Sequence, residues 1–170
     1  LALHYYENPL FQIWQPLTHM FLHGNFSHIL FNMIGLWMFG SPLEQLWGRN
    51  KFIFFYLSSG LGAAALQILY SSYDFNSIFE ILVSNGFNSE EIINTIETSR
   101  YNLNWLSYIS EQQLSNLNES YNLSMVGASG ALYGILVAFA FLFPNVSLFL
   151  IFIPIPIKAK YFVPILIAGD

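Results

Sequence analysis

Residues 26–47 read Phe26-Ser27-His28-Ile29-Leu30-Phe31-Asn32-Met33-Ile34-Gly35-Leu36-Trp37-Met38-Phe39-Gly40-Ser41-Pro42-Leu43-Glu44-Gln45-Leu46-Trp47. About 20 predominantly apolar residues in a helix cross a hydrocarbon core of about 30 Å. This stretch therefore reads as a membrane span, with Asn32 the one strongly polar residue near its middle. Gly40-Ser41-Pro42 is expected to loosen its end. The short polar run Gly48-Arg49-Asn50-Lys51 follows, and then residues 52–70 form a second span with no charge at all. Gly60, Gly62, Ala63, Ala64 and Ala65 give that span a small-residue face for close helix packing.

Further along, a third span is expected over 125–143, closed by Pro144. Val146 to Ile157 is apolar but too short to cross, and Pro154 and Pro156 forbid a regular helix there. It is expected to dip into or lie along the interface. After Lys158-Ala159-Lys160, residues 161–170 look like a fourth span, incomplete at its end. Residues 71–124 differ sharply: they hold seven of the ten acidic residues and many Asn and Ser. They are expected to form a water-exposed acidic insert with one short amphipathic helix, Ser89 to Thr98, carrying Ile92, Ile93 and Ile96 and capped by Ser89.

Composition agrees with an all-α, polytopic membrane bundle. The 170 residues are 55% hydrophobic and only 9% charged, against about a quarter charged in soluble domains. The net charge of -5 and the lack of a basic stripe exclude nucleic acid as a partner. The absence of cysteine removes disulfides and thiolate metal sites. Leu1 stands where an initiator methionine would, so a piece of a longer protein is expected. Four of the five basic residues, Arg49, Lys51, Lys158 and Lys160, lie in the two short connections. The positive-inside rule puts both connections in the cytoplasm and the insert at 71–124 outside. Internal repeats are not seen.

Two constellations carry chemistry. The first is His19, His23, His28 and Asn32. His19 and His23 are four apart, as are His28 and Asn32, so each pair shares a face if helical. An Asn inside a span needs a partner or a wet cavity. Three bland alternatives stand beside this: interfacial histidines bonded to backbone carbonyls, an Asn32 hydrogen bond between helices, and a His-x-x-x-His metal pair with His28 as third ligand. The second constellation is Gly127-Ala128-Ser129-Gly130-Ala131-Leu132-Tyr133-Gly134. Here a hydroxyl near the outer start of the third span is flanked by small residues, and free helix-start N–H groups can stabilise an oxyanion. Its bland reading is small-residue helix contact.

Taken together, His19-Met20-Phe21-Leu22-His23-Gly24-Asn25-Phe26-Ser27-His28-Ile29-Leu30-Phe31-Asn32 and Gly127-Ala128-Ser129-Gly130 with Tyr133-Gly134 resemble the rhomboid family of intramembrane serine proteases. Glu44 with Gly48 looks like the family's cytoplasmic end of the first span. The resemblance implies a helical bundle of which about four of six core spans are present, with transmembrane protein substrates and the lipid bilayer as partners. It implies a bacterial, multi-pass inner-membrane protein that needs no cofactor or metal. Ser129 would be the nucleophile, with His28 and Asn32 in the oxyanion hole. His19 and His23 would support water and structure around that hole, Tyr133 would pack on the catalytic histidine, and Gly127 and Gly130 would permit close approach. The family's general base is a histidine on the last core span. All four histidines here precede Ser129, so the base is expected outside 1–170 and the chain alone is expected to be inactive. A family-blind reading pairs Ser129 with His28. The competing functions are an inactive rhomboid-like protein that binds membrane clients, and a transporter using the polar pocket as its path.

Overall fold

The computed structural model describes residues 1–98, 100–150 and 153–168. The chain divides into two units, Leu1–His19 with Ala64–Val126, and Met20–Ala63 with Gly127–Asp170. In chain order the helices are α1 (Gln15–Thr18), α2 (Phe26–Gly35), α3 (Ser41–Trp47), α4 (Arg49–Ser84), α5 (Ser89–Glu97), α6 (Glu111–Tyr121), α7 (Ser129–Leu142) and α8 (Ala159–Ala168). The strands are β1 (Ser147–Leu150) and β2 (Ile153–Lys158).

In the first unit, apolar residues recur at helical spacing and face one core. Phe75, Ile78 and Leu82 of α4, Ile92 and Ile96 of α5, and Leu114, Leu117 and Tyr121 of α6 close around Tyr5, Trp105 and Ile109. The helix starts are capped by side chains. Asn88 accepts from the Glu90 and Glu91 N–H groups, and Ser110 and Gln113 form a reciprocal capping box. The N-terminal segment joins this core: Leu3 and Met125 exchange two backbone hydrogen bonds of 2.9 Å, and Asn8 Nδ2 donates to the Tyr121 carbonyl at 3.0 Å. The segment 71–124, read from the sequence as an insert with one short helix, thus differs from that expectation. Its first 14 residues continue α4, α5 is capped by Asn88 rather than Ser89, and α6 and a 3₁₀ turn at Leu103–Ser107 complete it.

In the second unit, the backbone stays helical from Phe26 to Trp47, passing through a π-type turn at Leu36–Gly40. Pro42 has no N–H to give to the turn before it, and the widened turn absorbs that defect instead of ending the helix. The helix stops at Gly48, whose φ of +78° reverses the chain before α4. Met125–Ala128 is not part of α7, because Gly127 has φ +119°, which no α-helix accommodates. The expected third span, 125–143, thereby shortens to the 14 residues of α7, about 21 Å of rise.

Leu43, Ile135, Phe139 and Ala159 form this unit's core. Small residues let α4 and α7 touch: Cβ atoms added at Gly130 and Gly134 would lie 2.6 Å from Ala63 Cβ and 2.7 Å from Ser59 Cβ. Of the small face expected on the second span, Gly60 packs against Met20 and Ala63 against Gly130, while Gly62 faces open space.

The fold is mostly helical, though not wholly. β1 and β2 pair antiparallel, Ser147 opposite Lys158 and Leu148 opposite Ile157. In a two-strand ribbon both strands are edges, so Pro154 and Pro156 can leave their missing N–H on the open side. Of the incomplete fourth span, residues 159–168 are helical as α8, and 169–170 lie outside the described residues. Among the described residues one helix, α4, is long and apolar enough to cross a membrane, and α7 and α8 are shorter apolar helices.

Candidate active site

Asn25 builds the first wall. Its backbone is extended, φ -158°, and its side chain caps α2 by accepting the His28 N–H at 2.8 Å. The chain turns back just before this cap, and the Gly24 N–H reaches His28 Nδ1 at 3.4 Å. One turn on, Asn32 is buried at 6% exposure, and its Nδ2 has no hydrogen-bond partner among the described residues.

The second wall is the start of α7. Ser129 is its first residue, and Ala128 before it offers no side-chain cap. The first N–H groups of α7 are therefore not taken by a capping side chain, at the positive end of the helix dipole. Gly127 lies between the walls. A Cβ added there would sit 2.6 Å from His28 Nε2 and 3.6 Å from Ser129 Oγ. The imidazole edge thus closes on a point that only a glycine leaves vacant, and the hydroxyl lies near the same point. Asn32, Ser129 and Tyr133 line a common cavity of about 180 Å³ with Phe31, Leu132 and Leu136. Asn32, Ser129 and Tyr133 are the polar residues of its lining, and the rest of the lining is apolar.

His23 packs edge-on against His28, with ring centroids 5.2 Å apart and planes at 76°. Its Nε2 is buried without a partner among the described residues. Burial, and then the charge of His28, hold its pKa below the ordinary value. His19 belongs to the first unit. It is buried, and its Nδ1 lies 3.1 Å from the Gln15 carbonyl. Burial lowers its pKa, opposed by that hydrogen bond. Gly130 faces Ala63 on α4.

The structure therefore brings His23, His28, Asn32, Gly127, Ser129 and Tyr133 into one region of the second unit, while His19 is a residue of the first unit. Among the described residues no three His, Asp or Glu side chains converge as metal ligands. Sequence reasoning missed Gly24 and Asn25. The Asn preceding an apolar helical run was the available cue for the cap; a backbone N–H that meets an imidazole leaves none.

Residues 10–87 match the family model described as Rhomboid domain. The chain is similar to Rhomboid protease GluP of Bacillus subtilis (strain 168), 32% identical over 60 residues, which are 35% of this chain and 12% of that protein. It is also similar to Rhomboid protease GlpG of Yersinia pestis (strain Pestoides F), 32% identical over 78 residues, 46% of this chain and 28% of that protein. The aligned stretch thus covers less than a third of either relative. The family match includes His19, His23, His28 and Asn32 and leaves Ser129 outside it. No solved structure matches.

Proposed function

We propose that this chain, whose residues 10–87 match the Rhomboid domain model and which is similar to rhomboid proteases, is part of an intramembrane serine endopeptidase that cleaves transmembrane protein substrates near the outer membrane face. Ser129 Oγ attacks the scissile carbonyl. Its proton passes to an imidazole supplied from outside residues 1–170, the second member of a Ser–His dyad. Negative charge growing on the carbonyl oxygen is met by Nε2–H of His28, Nδ2–H of Asn32 and the Ser129 backbone N–H. The amine leaves with the proton, and water then hydrolyses the acyl-enzyme. Tyr133 packs beside the incoming imidazole, and His19 and His23 support the surroundings.

One observation carries this reading: Asn32, whose buried Nδ2 has no hydrogen-bond partner among the described residues, lines the same cavity as Ser129, in an apolar surround where an unmade hydrogen bond costs most. Outward-facing apolar side chains support a bilayer environment. Trp37, Phe54 and Phe141 are 73%, 74% and 82% exposed, and patches of this kind suit lipid rather than water. The proposed topology has several passes through a bacterial inner membrane, with 48–51 and 158–160 cytoplasmic and 71–124 outside.

The test uses the full-length parent in proteoliposomes with a transmembrane substrate. Ser129→Ala should abolish cleavage with expression intact, and Asn32→Ala should slow it roughly 10–1000-fold. Residues 1–170 alone should not turn over. Cleavage that persists in the Ser129→Ala parent refutes the mechanism, and client capture without any cleavage would point to the client-binding alternative.

A further inference from the structure

We propose that Gly24 and Asn25 are positioning residues that hold His28 as a hydrogen-bond donor toward Ser129, by setting which ring nitrogen carries the proton. The inference rests on the protease reading and adds to it how the ring is set. The Gly24 N–H points at His28 Nδ1, 3.4 Å away. A nitrogen that accepts a hydrogen bond presents its lone pair, so in the neutral ring the proton sits on Nε2. That nitrogen is the one facing the Gly127 position, 2.6 Å from where a Cβ would be, and Ser129 Oγ lies 3.6 Å from the same point.

Asn25 makes this geometry available. Its side chain accepts the His28 backbone N–H at 2.8 Å and so fixes where α2 begins. His28 then stands in the first turn, and the residue before the cap, Gly24, can reach back over its ring. The edge-on His23 ring, 5.2 Å away, limits swing on another side. An imidazole with its proton on Nε2 cannot accept the serine proton at that nitrogen, but it can donate from it to a developing oxyanion. The opposite tautomer would aim a lone pair at that negative charge.

The experiment uses the full-length parent, labelled with ¹⁵N-histidine and held in lipid nanodiscs at alkaline pH. Long-range ¹H–¹⁵N correlation spectra report the His28 tautomer, assigned by loss of its signals in His28→Gln. The wild type should show protonated Nε2. Gly24→Ala keeps the N–H, and its Cβ would lie 3.9 Å from His28 Nδ1, an ordinary contact, so the tautomer should stay. Gly24→Pro removes the N–H and should give a mixture, with kcat down roughly 10–100-fold and KM within about twofold. Asn25→Ala should lower kcat in the same way, and Asn25→Asp, which can still cap, should restore most of it.

If Gly24→Pro does not fold, the wild-type tautomer and the Asn25 pair decide in its place. Protonated Nδ1 in the wild type overturns the proposal, as does a folded Gly24→Pro with unchanged tautomer and kcat, or equal kcat in Asn25→Ala and Asn25→Asp. These results are separable from failure of the protease reading, because the tautomer is read without turnover and that reading fails on Ser129→Ala alone.

Discussion

Adding one methyl group at Gly127 is the most direct perturbation of the proposed site. A Cβ there would stand 2.6 Å from His28 Nε2 and 2.7 Å from its Cε1, while clearing Ser129 Oγ at 3.6 Å. Something must move by nearly 1 Å to reach ordinary carbon–nitrogen contact, about 3.5 Å. Ser129 is not crowded, so the displacement falls on the His28 ring. Displacing a catalytic group by about 1 Å can cost about 10²-fold in rate. The backbone adds its own term, because φ is +119° and a non-glycine residue held there costs about 1–3 kcal/mol. Gly127→Ala in the full-length parent should therefore lose about 100-fold or more in cleavage rate while still folding, with a stability loss near that backbone term. The assay is initial cleavage rate in proteoliposomes beside thermal unfolding of the same preparations. Gly62→Ala serves as control: nothing lies within 4 Å of its added Cβ, and alanine is the better helix former. If Gly127→Ala cleaves at half the wild-type rate or more, the placement of the His28 ring against Gly127 is wrong.

Three other consequences follow from the packing and the charges. Gly134→Ala would press its Cβ to 2.7 Å from Ser59 Cβ and should destabilise the protein by about 1–3 kcal/mol; Ser59→Gly in the same chain should recover most of that, measured by chemical unfolding in detergent. Trp105→Ala empties the core of the first unit, where the ring is 1% exposed, and should cost about 3–5 kcal/mol, read as faster hydrogen exchange across 75–121. Leu103→Ala, at 71% exposed, should change exchange little. Burial lowers the His19 pKa from 6.5, so the unfolded chain binds a proton first as pH falls. The stability tied to neutral His19 is thus complete above pH 6.5 and declines below it, and His19→Gln should flatten that decline in melting curves taken on either side of pH 6.5.

That the chain is mostly helical was legible because apolar runs such as 26–47 and 52–70 leave little alternative. What was not legible followed from local chemistry that periodicity overlooks. Ser71, Ser72, Tyr73 and Asp74 read as a surface segment, yet Phe75, Ile78 and Leu82 keep the three-to-four spacing and carry α4 to Ser84. The helix at Glu111–Tyr121 was announced by Ser110 and Gln113, three apart, and by Leu114, Leu117 and Tyr121 on one face; its polar composition hid both. Gly127 was read as a small neighbour of Ser129, and only its backbone angle shows that it ends one segment and lets α7 start at the serine. His28, Asn32 and Ser129 could be nominated from residue type and spacing. Their convergence could not, since it depends on the packing of α2 and α7, where a Cβ on Gly35 would meet Leu132 Cδ2 at 2.9 Å.

Asn32 shows how the structure weighs the bland reading against the chemical one. As a bond between helices, its amide would need an acceptor on a neighbouring element. Its Nδ2 is buried and finds none among the described residues. A buried donor left unmade costs about 1–3 kcal/mol, unless water enters, and the cavity of about 180 Å³ beside it has room for water. An arrangement that leaves a donor without a partner among the described residues, on a residue that shares a cavity with a serine, gains nothing for the resting fold. In the proposed mechanism it keeps the donor free for an oxygen that becomes negative only during reaction, where a fixed dipole in an apolar surround is worth most. Asn32→Ala therefore separates the two roles in one preparation. A structural bond would show as lost stability at unchanged turnover per folded molecule, whereas an oxyanion donor would show as lost turnover with the melting temperature held or raised.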